Sequence, residues 1–595
     1  MRDRVDRGGH GRHHYRARRG DHGGDGYGAE PSEVTEEPTC PTVTQWLTAP
    51  VREAKYSFSP DGTSWQKTSH KDLAEQANGA ASYFTLNGVR PGDRVGLIVE
   101  AGPNFIAAFF GAILIGAIPA PIATPPPFGS SNNYLLYLRN LIHVGQLDII
   151  VCGETARSTA DLATDALTAR VLPVQGSFDK TAPVEPHGFA NDDLCLIQFS
   201  SGSSGTNRAV HISHQNLAVN TQAIAHWLEL GRGDSWATWL PHYHDMGLIG
   251  GILTPLVSSI DIMAMAPQTF IKNPAGWLSC FGEYEATVTA CPNFALDFIL
   301  RRVNSNMVLG HDYSRWKSLV CGAERVDHQT MTKFANRFGV QGFNIHTCTP
   351  AYGLAESTLA VTGKKLKSAP RSITVRASSL SPGSQVHLGP AGADEVRAIV
   401  SCGQPVDPNS CVWIEHDGHS VPEGVVGEVH VKAASVAVGY SSTSRESTNR
   451  FEGGKVNTGD AGFLLQGELF VVGRFGDSVK VRGRTFFSED VDAVLFRLTG
   501  VDSHNLVSIL GDTPSGPAIL VVTEVREVSI LTDIRNQLTT HFAGLTIQVA
   551  AVDKGSIMRT TSGKPRRRAM WDAYATDTTD GNSPPSTSLV EAAET

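Results

Sequence analysis

The chain predicts an α/β protein of two parts, a large layered body of sheets and helices followed by a small α+β unit. Three observations predict it. Its 595 residues are too many for one hydrophobic core, so two or more domains are expected. Short apolar runs alternate with helical stretches up to about residue 350, a pattern of layered, largely parallel sheets. From residue 478 to 574 shorter strands and two helices follow one another, which suits a smaller unit. A hydrophobic fraction of 41% and a charged fraction of 18% are ordinary for a globular protein. The net charge of -9 argues against a general nucleic-acid binder. Nine cysteines without a C-x-x-C read as buried thiols of a reduced, cytoplasmic protein, not as a disulfide or zinc framework.

Taken in order, residues 1–40 are rich in Arg, His and Gly, lack the apolar stretch of a secretory signal, and read as a disordered extension. FSPDGT (58–63) predicts a hairpin turn. His70 to Leu86 has helical spacing at Leu73, Ala77, Ala80, Tyr83 and Phe84. Gly92 to Val99 reads as a turn into a buried strand. Pro103 to Ile118 is almost wholly apolar. Its uninterrupted run is close to the ~10–14 residues that favour a core helix over a transmembrane segment. Pro119 to Pro127 predicts an edge strand and loop. Leu147–Val151, Ala237–Leu240, Ala286–Ala290 and Ser318–Val320 are further short strands. In the small unit, Val479–Val481, Val507–Leu510, Ala518–Val522 and Ile547–Val549 read as strands, and Glu489–Leu498 and Leu531–His541 as helices. Residues 575–595 are Thr/Asp/Ser/Pro-rich and read as a disordered tail.

Chemistry concentrates first at FSSGSSGTNRAVHISHQN (199–216). An apolar strand leads into Ser200, Ser201, Gly202, Ser203, Ser204, Gly205 and Thr206, and Arg208 adds a fixed charge. Small residues let backbone N–H groups and hydroxyls wrap a polyphosphate. No Walker A pattern is present, and a Ser/Gly-rich surface turn is the plain alternative. WLPHYHDMGLIG (239–250) collects His242, His244 and Asp245; a zinc site is one reading, but no further ligand follows at motif spacing. PNFALDFIL (292–300) predicts an apolar helix that turns Phe294 and Phe298 toward a cavity; Asp297 is either an amino-group anchor or an ordinary helix residue.

Together with CPNFALDF (291–298), YGLAES (352–357), NTGDAG (457–462), GRFGDSVKVRG (473–483) and TTSGKPRRR (560–568), these stretches occur in the order of the adenylate-forming superfamily. HDMGLIGG, PNFALD and YGLAE resemble its fatty acyl-AMP ligase branch, over about residues 45 to 574. The resemblance implies a large adenylate-forming domain (41–476) and an α+β lid (477–574) hinged at Asp477. It implies that the Ser/Gly loop and Arg208 hold ATP phosphates, that Gly322, Ala323 and Glu324 hold adenine, and that Tyr352 and Gly353 lie against it. Asp460 and Arg474 would take the ribose, Glu356 a magnesium ion, and Lys564 would act in catalysis. His244, Asp245, Met246, Phe294 and Phe298 would line the acyl pocket, with His244 also near the adenylate phosphate. The implied reaction is ATP- and Mg2+-dependent activation of a fatty acid. Transfer to a phosphopantetheinylated acyl carrier protein or a polyketide/peptide synthase would follow. Residues 363–400 match an insertion of that branch, and packing between the two domains is expected of it. Alternatives are an acyl-CoA synthetase and a non-catalytic adenylate-binding protein. Arg208 and Ala209 depart from the usual Lys and Gly, and Ala209 would be strained if its position needs a positive φ.

Overall fold

The computed structural model describes residues 43–126, 131–165, 167, 169–174, 176–181, 183–201, 207–390, 396–441, 450–481, 484–499, 501, 505–560, 563–575 and 588–589. The body is built on parallel strands. One sheet runs in the order Ile118–Pro121, Arg94–Ile98, Ile149–Cys152, Arg170–Pro173, all parallel, with the proline-bearing strand at the edge as expected. The larger sheet has six parallel strands, Cys348–Gly353, Ser318–Cys321, Val288–Cys291, Ser235–Thr238, Asp261–Met265 and Lys55–Ser59. Antiparallel strands close both its edges: Gln66–Ser69 on one side, Ala360–Gly363 and Gln404–Pro405 on the other. Parallel order aligns the C-terminal ends of successive strands, and in open α/β sheets ligands bind beyond those ends.

Two helices fix the core beside these sheets. His70–Leu86 starts with a capping box, in which Ser69 and Asp72 exchange hydrogen bonds with each other's backbone N–H. Pro103–Leu114 packs against it so closely that a Cβ on Gly111 would come 2.6 Å from Cβ of Ala80. The second helix has only 12 residues and is buried from Phe105 to Leu114, so it is a core helix. No helix among the described residues is long and apolar enough to cross a membrane.

Beyond residue 478 a separate pair of cores forms on the two faces of one sheet, Leu506–Thr513, Gly516–Thr523 and Thr546–Ala551. Helices Ser488–Thr499 and Val528–His541 cover one face, and Arg567–Tyr574 the other. Ser588–Leu589, inside the tail expected to lack structure, forms a short strand against Ala550 and Ala551. In the 363–400 segment Ser372–Arg376 pairs antiparallel with Val396–Val400, and Leu388 adds an isolated antiparallel bridge to Val375. Val375, Leu380 and Ile399 from this hairpin share a buried cluster with Phe463, Phe470 and Phe487. Of the eight described cysteines, all unpaired, seven are buried and Cys411 is exposed.

Candidate active site

Strands Leu194–Ser201 and Asn207–Ser213 pair antiparallel, with Ser200 opposite Arg208 and Ser201 opposite Asn207. The ladder therefore presents both ends of the Ser/Gly loop at one place; Gly202, Ser203, Ser204, Gly205 and Thr206, with the Ser201 side chain, lie outside the described residues. Ala209 is a buried strand residue opposite Phe199 and has no positive φ, so the expected strain does not arise: the ladder holds it extended. Arg208 stands with its Cζ 5.4 Å from the centre of the Tyr440 ring, a cation–π contact.

The strand residues Ser200, Asn207 and Arg208 line a cleft of about 3200 Å³. Ser200, Arg208, His244, Asp245, Met246, Phe294, Phe298, Gly322, Ala323, Glu324, Tyr352, Gly353, Glu356, Asp460, Arg474, Asp477 and Lys564 all line it. They come from segments more than 300 residues apart, and the ends of the parallel strands bring most of them together. Gly322, Ala323 and Glu324 follow the strand Ser318–Cys321; Ala323 turns the chain in the left-handed region at φ 65°. Glu324 accepts the Phe294 N–H at 2.6 Å, so this carboxylate braces the start of the acyl-side helix, and burial pushes its carboxyl up.

Asp460 is held from two sides. It lies directly opposite Arg474 in the ladder between Lys455–Leu465 and Glu468–Arg474, and Arg474 Nε donates to Oδ1 at 2.9 Å. Tyr352 Oη donates to Oδ2 at 2.7 Å. The Asp460 carboxylate in turn holds the Arg474 guanidinium above the usual arginine range. Charge and ring are thus locked together.

Glu356 sits in a short 3₁₀ turn, Ala355–Ser357, with its carboxylate nearly buried. Tyr440 Oη donates to its Oε1 at 2.6 Å, and Arg450 Nη1 stands 3.9 Å from the same oxygen. Tyr440 and Arg450 carry no motif signal; Tyr440 is brought in by the pairing of Gly439–Tyr440 with His211 and Val210, and Arg450 is held by the carbonyls of Asn457 and Thr458.

The histidines separate. His244 Nδ1 is 2.7 Å from Asp245 Oδ1 and 3.3 Å from the Met246 backbone nitrogen, contacts that fix the ring. Asp245 also accepts the Met246 N–H at 2.7 Å and begins the π-helix Met246–Leu253. Burial pushes Asp245 up, but the His244 ring and the Lys564 ammonium outweigh it and hold the carboxyl below its ordinary value. His242 packs its ring 5.0 Å from Phe105, and burial pushes it down to about 4. Among the described residues no three metal-ligating side chains converge, so the zinc reading has no support here. At the far end Trp239 stacks on Phe270 at 4.0 Å, and Phe294 and Phe298 pack around that pair. Sequence reasoning missed Trp239 and Phe270 because their pairing crosses two strands. Asp297 hydrogen-bonds Thr330 of the next helix at 3.4 Å, the behaviour of an ordinary helix residue.

Lys564 follows Gly563, whose φ of 84° makes the tight turn that returns Thr560 N–H to Lys564 O at 2.7 Å. The lysine is solvent-accessible within the cleft it lines. Loss of hydration there and the Arg474 guanidinium pull its ammonium below the ordinary lysine range; Asp245, Glu324 and Asp460 oppose this. Arg567, three residues on, ties the turn to Asp492 at 2.6 Å and to Asp477 at 3.8 Å. Beside it the 363–400 hairpin meets the C-terminal cores. Arg397 Nη1 lies 2.6 Å from Asp490 Oδ1, off the axis of a hydrogen bond and so an ion pair. Arg325 donates to Glu489 O and to Ala398 O, both at 3.2 Å, and the Thr485 N–H reaches Ser381 Oγ at 3.0 Å.

A cleft that joins Ser200 and Arg208, the tyrosine–aspartate–arginine trio and Lys564 to an apolar wall suits an enzyme that binds an adenylate. The chain belongs to the AMP-binding enzyme family, whose model matches residues 45–441. It is similar to the medium-chain-fatty-acid–[acyl-carrier-protein] ligase JamA of Moorena producens, 29% identical over 86% of this chain and 91% of that protein. It is also similar to the long-chain-fatty-acid–AMP ligase FadD26 of Mycobacterium tuberculosis, 30% identical over 82% of this chain and 88% of that protein. A solved structure from work on fatty acyl-adenylate ligases of E. coli and L. pneumophila superposes with a TM-score of 0.82 at 28% identity, covering 90% of this chain and 98% of that one.

Proposed function

We propose that this chain uses ATP to activate a medium- or long-chain fatty acid as its acyl-adenylate. The acyl group then passes to the phosphopantetheine thiol of an acyl carrier protein or of a polyketide or peptide synthase. The observation that carries the reading is Lys564 standing in one cleft with the Asp460–Arg474 pair and with the aromatic wall of Trp239, Phe270, Phe294 and Phe298.

A carboxylate is a poor electrophile. One of its oxygens attacks the α-phosphorus of ATP, the bond from that phosphorus to the bridging oxygen breaks, and pyrophosphate leaves with the electron pair. Two anions meet, so fixed cations must face them at the transition state. Lys564 and Arg208 are the groups placed to do so, while Asp460 orders the ribose and Tyr352 the adenine. His244, its ring pinned at Nδ1 by Asp245, lies beside Met246 where the acyl carboxylate would enter. Magnesium uses few protein carboxylates and takes the rest of its oxygens from phosphates and water. Glu356 fits that part: one oxygen is engaged by Tyr440, and the residue lines the cleft. A magnesium ion held there would neutralise phosphate charge.

The domain plan that goes with this reading is a body of residues 41–476, a lid of 477–574 and a hinge at Asp477. The seam at Arg397–Asp490 and Ser381–Thr485 supports an insertion that holds the lid in its adenylation position, which disfavours the acyl-CoA synthetase alternative. Unstrained Ala209 removes one support of the non-catalytic alternative. Buried, unpaired thiols fit a cytoplasmic enzyme. The test is incubation with ATP, Mg2+ and a panel of fatty acids, followed by mass analysis. Acyl-AMP and pyrophosphate are expected for medium or long chains; ATP consumption without acyl-AMP, or none with any acid, overturns the reading.

A further inference from the structure

The helix Asn293–Arg302 carries one side of the apolar wall, yet its own N-cap gives it nothing. Pro292 stands at that position and makes no side-chain hydrogen bond to the helix. The first N–H groups of a helix have no partner within it and must find one elsewhere. Here the partner comes from another segment. Glu324 Oε1 accepts the Phe294 N–H at 2.6 Å, a carboxylate placed where the helix dipole favours negative charge. A second tie lies beside it: the Asp327 N–H donates to Asn293 Oδ1 at 3.0 Å. The sheet sets up both. Cys291 lies opposite Cys321 at the ends of two parallel strands, so the stretch after Cys321 and the start of the helix leave the sheet side by side.

That stretch, Gly322–Ala323–Glu324, is the one assigned to adenine. It is a bent piece of chain, with Ala323 in the left-handed region at φ 65°. On its far side Arg325 is held by the Glu489 and Ala398 carbonyls, both at 3.2 Å. Glu324 is thus carried on a short anchored bend, lines the cleft and spends its Oε1 on the helix start. On the helix, Phe294 sets its ring against Trp239 at 6.3 Å, and Phe298, one turn on, packs on Phe270 at 5.7 Å. What fixes the bend therefore also fixes the start of the helix and the rings that it carries.

We infer that Glu324 is a positioning residue that couples the two substrates through its hydrogen bond to the Phe294 N–H. A nucleotide against the 322–324 bend tightens the acyl wall, and a fatty acid on that wall tightens the nucleotide. This rests on the adenylation reading and adds to it that the two sites do not fill independently. The physical basis is shared ordering: a ligand that orders an element used by both sites leaves the second ligand less to order. Linkage makes the gain equal in both directions.

The test titrates dodecanoate calorimetrically into the full chain, alone and with saturating adenosine. Adenosine fills the adenine segment without setting a phosphate beside the carboxylate, and it cannot react. Wild-type affinity for dodecanoate is expected to rise about fivefold or more with adenosine, and adenosine affinity by the same factor with dodecanoate. Two conservative variants separate reach from charge. Glu324→Asp keeps the charge but is too short for the Phe294 N–H, and its coupling is expected to fall to within about twofold of none. Glu324→Gln keeps an acceptor at full reach and loses the charge, and it is expected to retain most of the coupling. Independent binding of the two ligands in the wild type overturns the proposal. So does wild-type coupling in Glu324→Asp, or a loss in Glu324→Gln as large as that in Glu324→Asp. Weaker binding of both ligands in Glu324→Asp with their coupling factor unchanged marks a merely structural role and overturns it too. Failure of either ligand to bind the wild type alone sinks the adenylation reading itself, whereas binding of both without coupling sinks only this proposal.

Discussion

The nucleotide end of the cleft and the seam between the 363–400 hairpin and the C-terminal cores are both made of paired charges, but they are assembled differently. At the nucleotide end, Asp460 and Arg474 face each other across adjacent strands, and Tyr352 reaches them from the neighbouring sheet. The backbone ladder fixes the pair whatever the rest of the chain does. At the seam, Arg325, Arg397 and Asp490 come from three separate segments and meet only through tertiary packing. Arg397 is buried, and burial pushes its guanidinium down to about 10. A buried ion pair offsets its own desolvation poorly, so this contact adds little stability. It does specify an orientation, because separating the partners leaves charges without compensation. The first arrangement is a fixed template, the second a latch.

The largest effect that sharpens this contrast is at Lys564. Lys564→Ala is expected to lower acyl-adenylate formation about a hundredfold or more, with ATP affinity nearly unchanged, as measured by single-turnover mass analysis and by nucleotide titration. A near-normal rate would mean that the template works without the C-terminal turn. Next is Glu356→Gln, expected to cut turnover about tenfold and to raise the magnesium needed for half-maximal rate, with fatty-acid affinity unchanged. An identical magnesium titration would remove Glu356 from the metal site.

The seam predicts a smaller and opposite effect. Arg397→Met keeps the volume and removes the charge, and Asp490 retains Arg325 at 3.9 Å. Acyl-CoA formation is expected to rise while adenylation stays as it was; a bias of ~1.4 kcal/mol in lid position is a tenfold change in population. If acyl-CoA stays absent while the variant adenylates normally, the latch lies elsewhere in the hairpin. Deleting residues 366–396 is a coarser version, because it also removes Val375 and Leu380 from the cluster around Phe463 and Phe470. The smallest effect is in pH. On the role proposed for Lys564 as a cation, its ammonium, held below the ordinary range, makes adenylation fall, as pH rises, at a lower pH than an ordinary lysine would give. An alkaline limb unchanged in Lys564→Arg would contradict that assignment.

The template was legible residue by residue through the family motifs, whereas the latch was expected only in outline, as an insertion packed between two domains, without the residues Arg397, Arg325 and Asp490 that form it. Motifs such as NTGDAG and YGLAES carry their site residues on short local stretches, so order and spacing were enough to place Asp460, Tyr352 and Glu356 on one cleft. Tyr440 and Arg450 were missed because their role exists only through pairing with Glu356, 84 residues away in the case of Tyr440. Ala209 looked strained because a glycine was expected there, whereas the ladder with Phe199 needs no positive φ.

The central claim is that one lid position, held by the seam, makes an adenylate that a carrier collects and coenzyme A does not. Enzyme loaded with acyl-AMP and then given equimolar coenzyme A and holo-acyl carrier protein tests it directly. The account predicts acyl-carrier as the thioester product, with acyl-AMP persisting when coenzyme A is offered alone. Conversion of coenzyme A as fast as the adenylate forms would contradict it.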